Sequence, residues 1–493
     1  MQRSAHYVLE KALAMLLGLF LLAAVIRGGN VDAVILAALY LAVPTAAVAA
    51  ATHFSAPDAP PASAAAWCLW AAIGLLCLAV LAGLMPLSND VWLSLPGRRY
   101  YEPVLAVWRA SSPGETTNAL ALSLDPDATR RALLIAVTCL VVAMAMTNLG
   151  RRTTLQLLGA LAMFVTFEAL IGLVQLGFAG AFTFGYAGHS RATGTFVNKN
   201  HFATMLAMAL PLLLMRATGQ FTFFVPHMES GPMGRAWWGA ATAVVIVSLI
   251  ASSSRAGIIA AVITSSICAY LIWRRKRQFS RPALVVGGLL AVLAVGLGWI
   301  TGFRRLLSSL LGTGASDGLG TRTLMNAHTW DGITAFFPLG SGIGSYAIAF
   351  PRFQTDKLGG FIEYAHNDYL QLIFEAGLVG VLILLLLAVS AYLTVQLALR
   401  LGDQFARLGP GVACLLGAAA FAIHAWFDFP AHIPAIAIMA AMLYGAATNP
   451  AVLASGQRRK PPVQTTIPDT FAPIAIGSAE RVEADVYHAS GAP

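Results

Sequence analysis

The side chains most able to do chemistry in this chain gather in four short stretches. The first is Tyr364-Ala365-His366-Asn367-Asp368-Tyr369-Leu370, with Gln371 behind it. It closes a polar segment (304–368) and opens a long apolar run (370–399), so His366 stands where a water-exposed segment meets a membrane surface. An imidazole can accept and return protons at neutral pH, which is what a general base needs. Glu363 precedes His366 by three residues and Asp368 follows it by two. Either carboxylate could hold one ring nitrogen and leave the other as the base. The structural alternative is that Asn367 or Asp368 caps the following helix and His366 is a bystander.

The second stretch is Arg191-Ala-Thr-Gly-Thr-Phe-Val-Asn198-Lys199-Asn200-His201. Asn198 or Asn200 can cap the helix that starts there, and a helix N-terminus flanked by Lys199 and Arg191 is an anion site. The alternative is a capped helix whose lysine reaches lipid headgroups. The third is Ser252-Ser253-Ser254-Arg255-Ala256-Gly257, a turn so tight that Arg255 must lie near the bilayer boundary. An arginine at that depth faces a partner or a watery cavity, or else binds helix-end carbonyls. The fourth is Gly318-Leu-Gly320-Thr321-Arg322 with Asn326, His328, Trp330 and Asp331, followed by Pro338-Leu-Gly340-Ser-Gly342-Ile-Gly344. The planar fork of Arg322 suits a phosphate, and the glycines permit close backbone approach, although a solvated loop would read the same way. No strand precedes these glycines, so a dinucleotide fold is not expected.

Three smaller features favour structural readings or stay open. His424, Asp428 and His432 step by four, but Phe429-Pro430 breaks the helix between them, so a turn is expected rather than a metal pair. Asp125-Pro126-Asp127 has metal-motif spacing and reads as a proline-fixed turn. Glu168 and Gln175 lie two turns apart inside an apolar run, either as functional groups or as a satisfied buried pair.

The chain that must position these groups is built for lipid. Of 493 residues, 58% are hydrophobic and 11% charged, against roughly 25% charged in soluble domains. Apolar runs long enough to cross a bilayer recur along its length. Twelve spans are expected, at about 12–27, 32–51, 64–85, 132–149, 155–178, 201–215, 236–252, 256–273, 282–302, 370–398, 409–427 and 432–447. No small-residue cleavage site follows the first run, so a retained helix is expected there. The expected organisation is an N-terminal part (1–131), a membrane core (132–447) and a cytoplasmic tail (448–493) with the composition of disorder.

Twelve spans put both ends on one side, and the Arg274-Arg275-Lys276-Arg277 run places that side in the cytoplasm. All four polar stretches then fall outside. Arginines and lysines kept on the outer side, against the usual bias, together with a net charge of +9, point to anionic partners: lipid headgroups or an anionic substrate. There is no aromatic-interleaved basic patch, which argues against nucleic acid. The five cysteines lie in apolar runs with no metal-ligand spacing. A transporter or flippase would place its polar groups at midplane, often with internal repeats, whereas these gather at one surface.

Gly194-Thr-Phe-Val-Asn198-Lys-Asn200-His201, Ser254-Arg255-Ala-Gly257, Gly340-Ser-Gly342-Ile-Gly344 and His366-Asn367-Asp368-Tyr-Leu-Gln371 occur in this order, with Phe427-Asp428-Phe-Pro430 before the last span. The ordered set resembles the O-antigen ligase and O-antigen polymerase superfamily of bacterial envelope glycosyltransferases, over roughly residues 130–447. The resemblance implies an all-α polytopic fold similar to GT-C-type glycosyltransferases, with a large periplasmic loop between spans nine and ten. It implies a chain in the bacterial inner membrane that transfers a glycan from an undecaprenyl-diphosphate donor to a glycan or lipid hydroxyl. Transfer would invert the anomeric centre and need no metal or other cofactor. By motif match, Arg255 and Arg322 would bind the diphosphate and His366 would be the base. Arg191, Lys199, Asn200, His201, Glu363, Asn367 and Asp368 would line the substrate. The superfamily also contains protein O-oligosaccharyltransferases, so the acceptor stays open.

Overall fold

The computed structural model describes residues 62–111, 119–177, 191–224, 230–276, 318–402 and 408–454. The expected spans 12–27, 32–51 and 282–302, and most of the expected tail, lie outside these residues.

Helix α1 (Ala64–Gly83) starts at Ser63, whose hydroxyl accepts from the Ala66 amide at 3.2 Å. A short ribbon follows, with β1 (Pro86–Ser88) antiparallel to β2 (Ala119–Ala121), and between them lie α2 (Asn89–Ser94) and α3 (Glu102–Ser111). Helix α4 (Pro126–Asn148) is capped by Asp125, which accepts from Ala128 N at 2.9 Å, with Pro126 in the first turn. Asp127 pairs with Arg130. The Asp-Pro-Asp run is therefore the start of a helix, in keeping with its structural reading.

Then come α5 (Arg151–Gly177), α6 (Lys199–Ala217), α7 (Pro232–Ala251) and α8 (Arg255–Lys276). The chain continues through α9 (Gly318–Phe336), α10 (Asp368–Gly402), α11 (Pro410–Ala425) and α12 (Pro434–Thr448). Among the described residues, six helices are long and apolar enough to cross a membrane: α1, α4, α5, α7, α8 and α10. Their outward faces carry large apolar residues such as Leu78, Val262, Ile263 and Leu385, a surface suited to acyl chains.

Helix α6 sits at the centre, packed against α7, α8 and α11. It is buried nearly all round, from His201 to Met215. A helix enclosed by protein need not be as apolar as one facing lipid, which is why it tolerates Lys199, Asn200, His201 and Arg216. Small residues bring its neighbours close. A Cβ on Gly257 would meet that of Ala203 at 2.6 Å, and one on Gly417 would meet Met208 O at 2.4 Å.

Two sequence expectations change here. The segment 318–367, expected as part of a loop, is a folded cap. Its low mean hydropathy conceals a helical stripe, Met325, Thr329, Ile333 and Phe336, that is buried with Tyr346, Phe350 and Phe374 in a separate aromatic core. Tyr346 and Phe350 stack with centroids 4.8 Å apart. The tenth span is also not one straight helix. Gly377 (φ 56°, ψ −130°) breaks α10 after two turns. The freed groups are taken up by the cap: Ser341 N donates to Phe374 O (3.0 Å), Gly342 N to Glu375 O (2.9 Å) and Leu378 N to Pro338 O (2.8 Å). A Cβ on Gly377 would lie 2.1 Å from Pro338 O, so only glycine fits. The Pro338–Gly344 segment thus wraps the broken helix.

Candidate functional site

Four elements converge on one buried carboxylate, Asp428, in the turn between α11 and α12. It is 1% exposed. Its Oδ1 accepts from His366 Nδ1 at 2.9 Å and from Phe429 N at 3.1 Å, and its Oδ2 accepts from Asn200 Nδ2 at 2.6 Å. Asn200 Oδ1 in turn accepts from Ser254 Oγ at 2.9 Å. One chain of hydrogen bonds therefore joins the turn before α8, the start of α6, the α11–α12 turn and His366. Burial alone would raise the Asp428 pKa. The hydrogen bond from His366 and the nearby His366, His201 and His424 rings outweigh it and hold the carboxyl well below the usual range.

This corrects two readings of the sequence. The carboxylate that orients His366 is Asp428, not Glu363 or Asp368. Glu363 is exposed, and its carboxylate meets the Tyr364 side chain. Asp368 instead binds the α11–α12 turn: Oδ1 accepts from His432 Nδ1 and Oδ2 from Ala431 N, both at 2.9 Å. The His424, Asp428, His432 series is indeed a turn, but one whose side chains reach the site. Asp428 takes His366, His432 takes Asp368, and His424 Nδ1 bonds Thr204 Oγ1 at 2.7 Å.

His366 has φ 49°, a left-handed conformation that few non-glycine residues hold without support. The support is local. Asn367, 2% exposed, caps α10 by accepting from Tyr369 N (3.1 Å) and Leu370 N (3.2 Å). Ala365 N donates to Gln371 Oε1 at 2.9 Å. The ring packs edge-on against Phe429 at 4.9 Å, and Phe429 stacks on Tyr364 at 4.3 Å. His201, 6% exposed, meets the same Phe429 ring edge-on at 4.9 Å. With Nδ1–H committed to Asp428, His366 presents Nε2 as its lone-pair nitrogen, on a side chain 32% exposed.

The cations assemble beside this. Asn198 caps α6, accepting from Asn200 N at 2.8 Å, and Lys199 is the first helical residue, ahead of the 201–215 span. Lys199 Nζ donates to Ser253 O at 3.2 Å, and Ser253 is the second non-glycine residue with positive φ (54°) among those described. Burial lowers the Lys199 pKa to about 8, aided by the charges of Arg191, Arg255 and Arg322 and opposed by Asp428. Arg255 opens α8 half-buried, Arg322 lies half-buried in the first turns of α9, and Arg191 is exposed. Arg322 also acts electrostatically on His424. Four positive groups, drawn from three separate stretches of sequence, thus share one neighbourhood with a capped helix N-terminus.

The pair inside α5 has a structural task. Glu168 accepts from Thr195 N and Thr195 Oγ1, both at 3.0 Å, and Gln175 bonds Thr193 and Gly194. Together they hold the Gly194-Thr195-Phe196 bend that delivers Asn198 and Lys199. Sequence reasoning missed Asp428 as the His366 partner, and with it Glu375, a carboxylate inside an apolar run. That signal alone would have marked Glu375 for attention.

The family model described as O-antigen ligase matches residues 240–385, which include Arg255, Arg322, His366 and Asn367. No curated protein matches the chain. The apolar helices and this match together describe a multi-pass membrane protein of polysaccharide biosynthesis, glycosyltransferase-like in activity. The match supports a place for the chain in the O-antigen ligase and polymerase superfamily.

Proposed function

We propose that the chain transfers a glycan from an undecaprenyl-diphosphate carrier to an acceptor hydroxyl in the outer leaflet, with inversion at the anomeric carbon. The observation that carries this reading is the pairing of an open imidazole nitrogen, His366 Nε2, with an adjacent group of cations. A lipid diphosphate is already a competent leaving group. What it needs is positive charge fixed where its negative charge develops. Arg255, Arg322, Lys199 and Arg191, with the N-terminal amides of α6, supply it, so the step requires no metal. His366 Nε2 takes the acceptor hydroxyl proton as the oxygen attacks the sugar, on the face opposite the departing diphosphate. Asp428 keeps Nδ1 protonated and stabilises the imidazolium that forms. Asn200 belongs to both halves, since it lies in the first turn of α6 and binds Asp428.

The test is a deletion in the native cells. It should leave lipid-linked glycan accumulated and the surface polysaccharide short or missing. The wild-type gene should restore transfer, and His366→Ala should not. Unchanged lipid-linked pools on deletion would contradict the reading. A protein acceptor is the second outcome to examine: glycosylated protein that disappears with the deletion, while surface polysaccharide stays intact, would establish it.

A further inference from the structure

Behind the strained His366 turn lies a second polar group that the proposed transfer does not use. Gln371, 1% exposed, is its centre. Its Oε1 accepts from Ala365 N at 2.9 Å, on the peptide leading into His366. That donor fixes the amide orientation, so Nε2 points the other way. It donates to Glu375 Oε1 at 3.1 Å and faces His432 Nε2 at 3.0 Å. Glu375 Oε2 accepts from Gly344 N at 2.8 Å and its Oε1 from Tyr346 N at 3.2 Å, which ties the group to the cap. His432 Nδ1 is already committed to Asp368.

We infer that Gln371 is a positioning residue for His366, holding the left-handed Ala365–His366 backbone from behind while Asp428 holds the ring from the side. This rests on the proposed role of His366 as base. The clamp reads the protonation of His432. A bare Nε2 on His432 accepts from Gln371, whereas a protonated Nε2–H would face a donor. Rotating the Gln371 amide to satisfy it would turn the NH2 group against Ala365 N–H and the oxygen against Glu375. The groups facing His432 pull against the clamp. Burial disfavours a second proton, but Asp368, Glu375 and Glu363 favour it and together raise the His432 pKa, with the Tyr364 ring tilted against it at 5.1 Å and His201 within electrostatic reach.

The experiment uses the full chain, lipid-linked glycan extracted from cells lacking it, and undecaprenyl diphosphate as the binding probe. Gln371→Met keeps the length of the side chain and removes all three hydrogen bonds. It should lower kcat by about 10²-fold, the cost of a small misplacement of a reacting group, with undecaprenyl diphosphate affinity unchanged. In the His366→Ala background it should add nothing further. Gln371→Glu keeps the acceptor for Ala365 N but offers no donor, so His432 must carry the second proton to meet it. Its activity should recover as pH falls, with an optimum displaced to the acid side of wild type.

Three results would overturn the inference: unchanged kcat in Gln371→Met, equal losses of kcat and probe binding in that variant, or a Gln371→Glu profile with the wild-type optimum. If Gln371→Met is too unstable to assay, the Gln371→Glu profile decides alone. Activity retained in His366→Ala would instead remove the proposed function on which the inference stands.

Discussion

His366 and His432 each bond an aspartate through Nδ1 at 2.9 Å, and their side chains are similarly exposed, 32% and 25%. Both lie against Phe429 or the Tyr364 ring stacked upon it. Two things separate them. His432 sits in a short 3-10 turn (Pro430–His432), and its second nitrogen meets the Gln371 amide at 3.0 Å. His366 is held at φ 49°, which costs about 1–3 kcal/mol, and its second nitrogen makes no hydrogen bond among the described residues. Neither the type of pair nor its exposure distinguishes the proposed base from the histidine proposed to brace it. The proposed roles follow the strained backbone and what the second nitrogen of each ring meets.

The largest effect that would sharpen this contrast comes from Asp428. Asp428→Asn keeps an oxygen for Phe429 N and His366 Nδ1 but removes the charge that stabilises the imidazolium and sets an NH2 group against Asn200 Nδ2. Transfer should fall by about 10²–10⁴-fold, the range for losing a general base, while undecaprenyl diphosphate binding holds. A fall in binding as large as the fall in rate would make Asp428 a folding residue and erase the distinction.

Next come the arginines. Arg255→Lys with Arg322→Lys keeps two charges and loses two forks, so kcat/KM for the lipid-linked donor should drop by about 10²-fold. An unchanged value would reduce both to structural roles.

The smallest effect is that of pH on Lys199. Its pKa is lowered to about 8, so the ammonium is present below that pH and lost above it. Donor KM should therefore rise through pH 8 by about tenfold, the worth of one charge-assisted hydrogen bond, and Lys199→Arg should abolish the rise. A rise of the same size in Lys199→Arg would assign the titration elsewhere.

Much of this architecture is legible in the amino-acid order. The helices described at 64–83, 126–148, 151–177, 199–217, 232–251, 255–276, 410–425 and 434–448 fall where apolar runs place them, because length and hydropathy are local properties. The expected topology also put Lys199, Arg255 and Arg322 on one side, and in the structure Lys199 feels the charges of both arginines. What sequence hid was tertiary. Helix α9 escaped because its buried stripe is diluted by Thr, Asn, His and Asp on its other faces. The break at Gly377 reads locally as a glycine tolerated in a helix, and only the approach of Pro338 O shows why it must be glycine. Asp428 lies 62 residues from His366 in sequence, whereas Glu363 and Asp368 lie beside it. Sequence proximity therefore favoured the wrong carboxylates.

The central claim is that His366 Nε2 receives the acceptor proton in a site whose cations bind the donor independently. Single-turnover transfer from extracted lipid-linked glycan, measured for His366→Ala alongside undecaprenyl diphosphate binding by the same preparation, tests it most directly. The account predicts a rate lower by about 10²–10⁴-fold with affinity within about twofold of wild type. Transfer by His366→Ala at the wild-type rate, with binding intact, would contradict it.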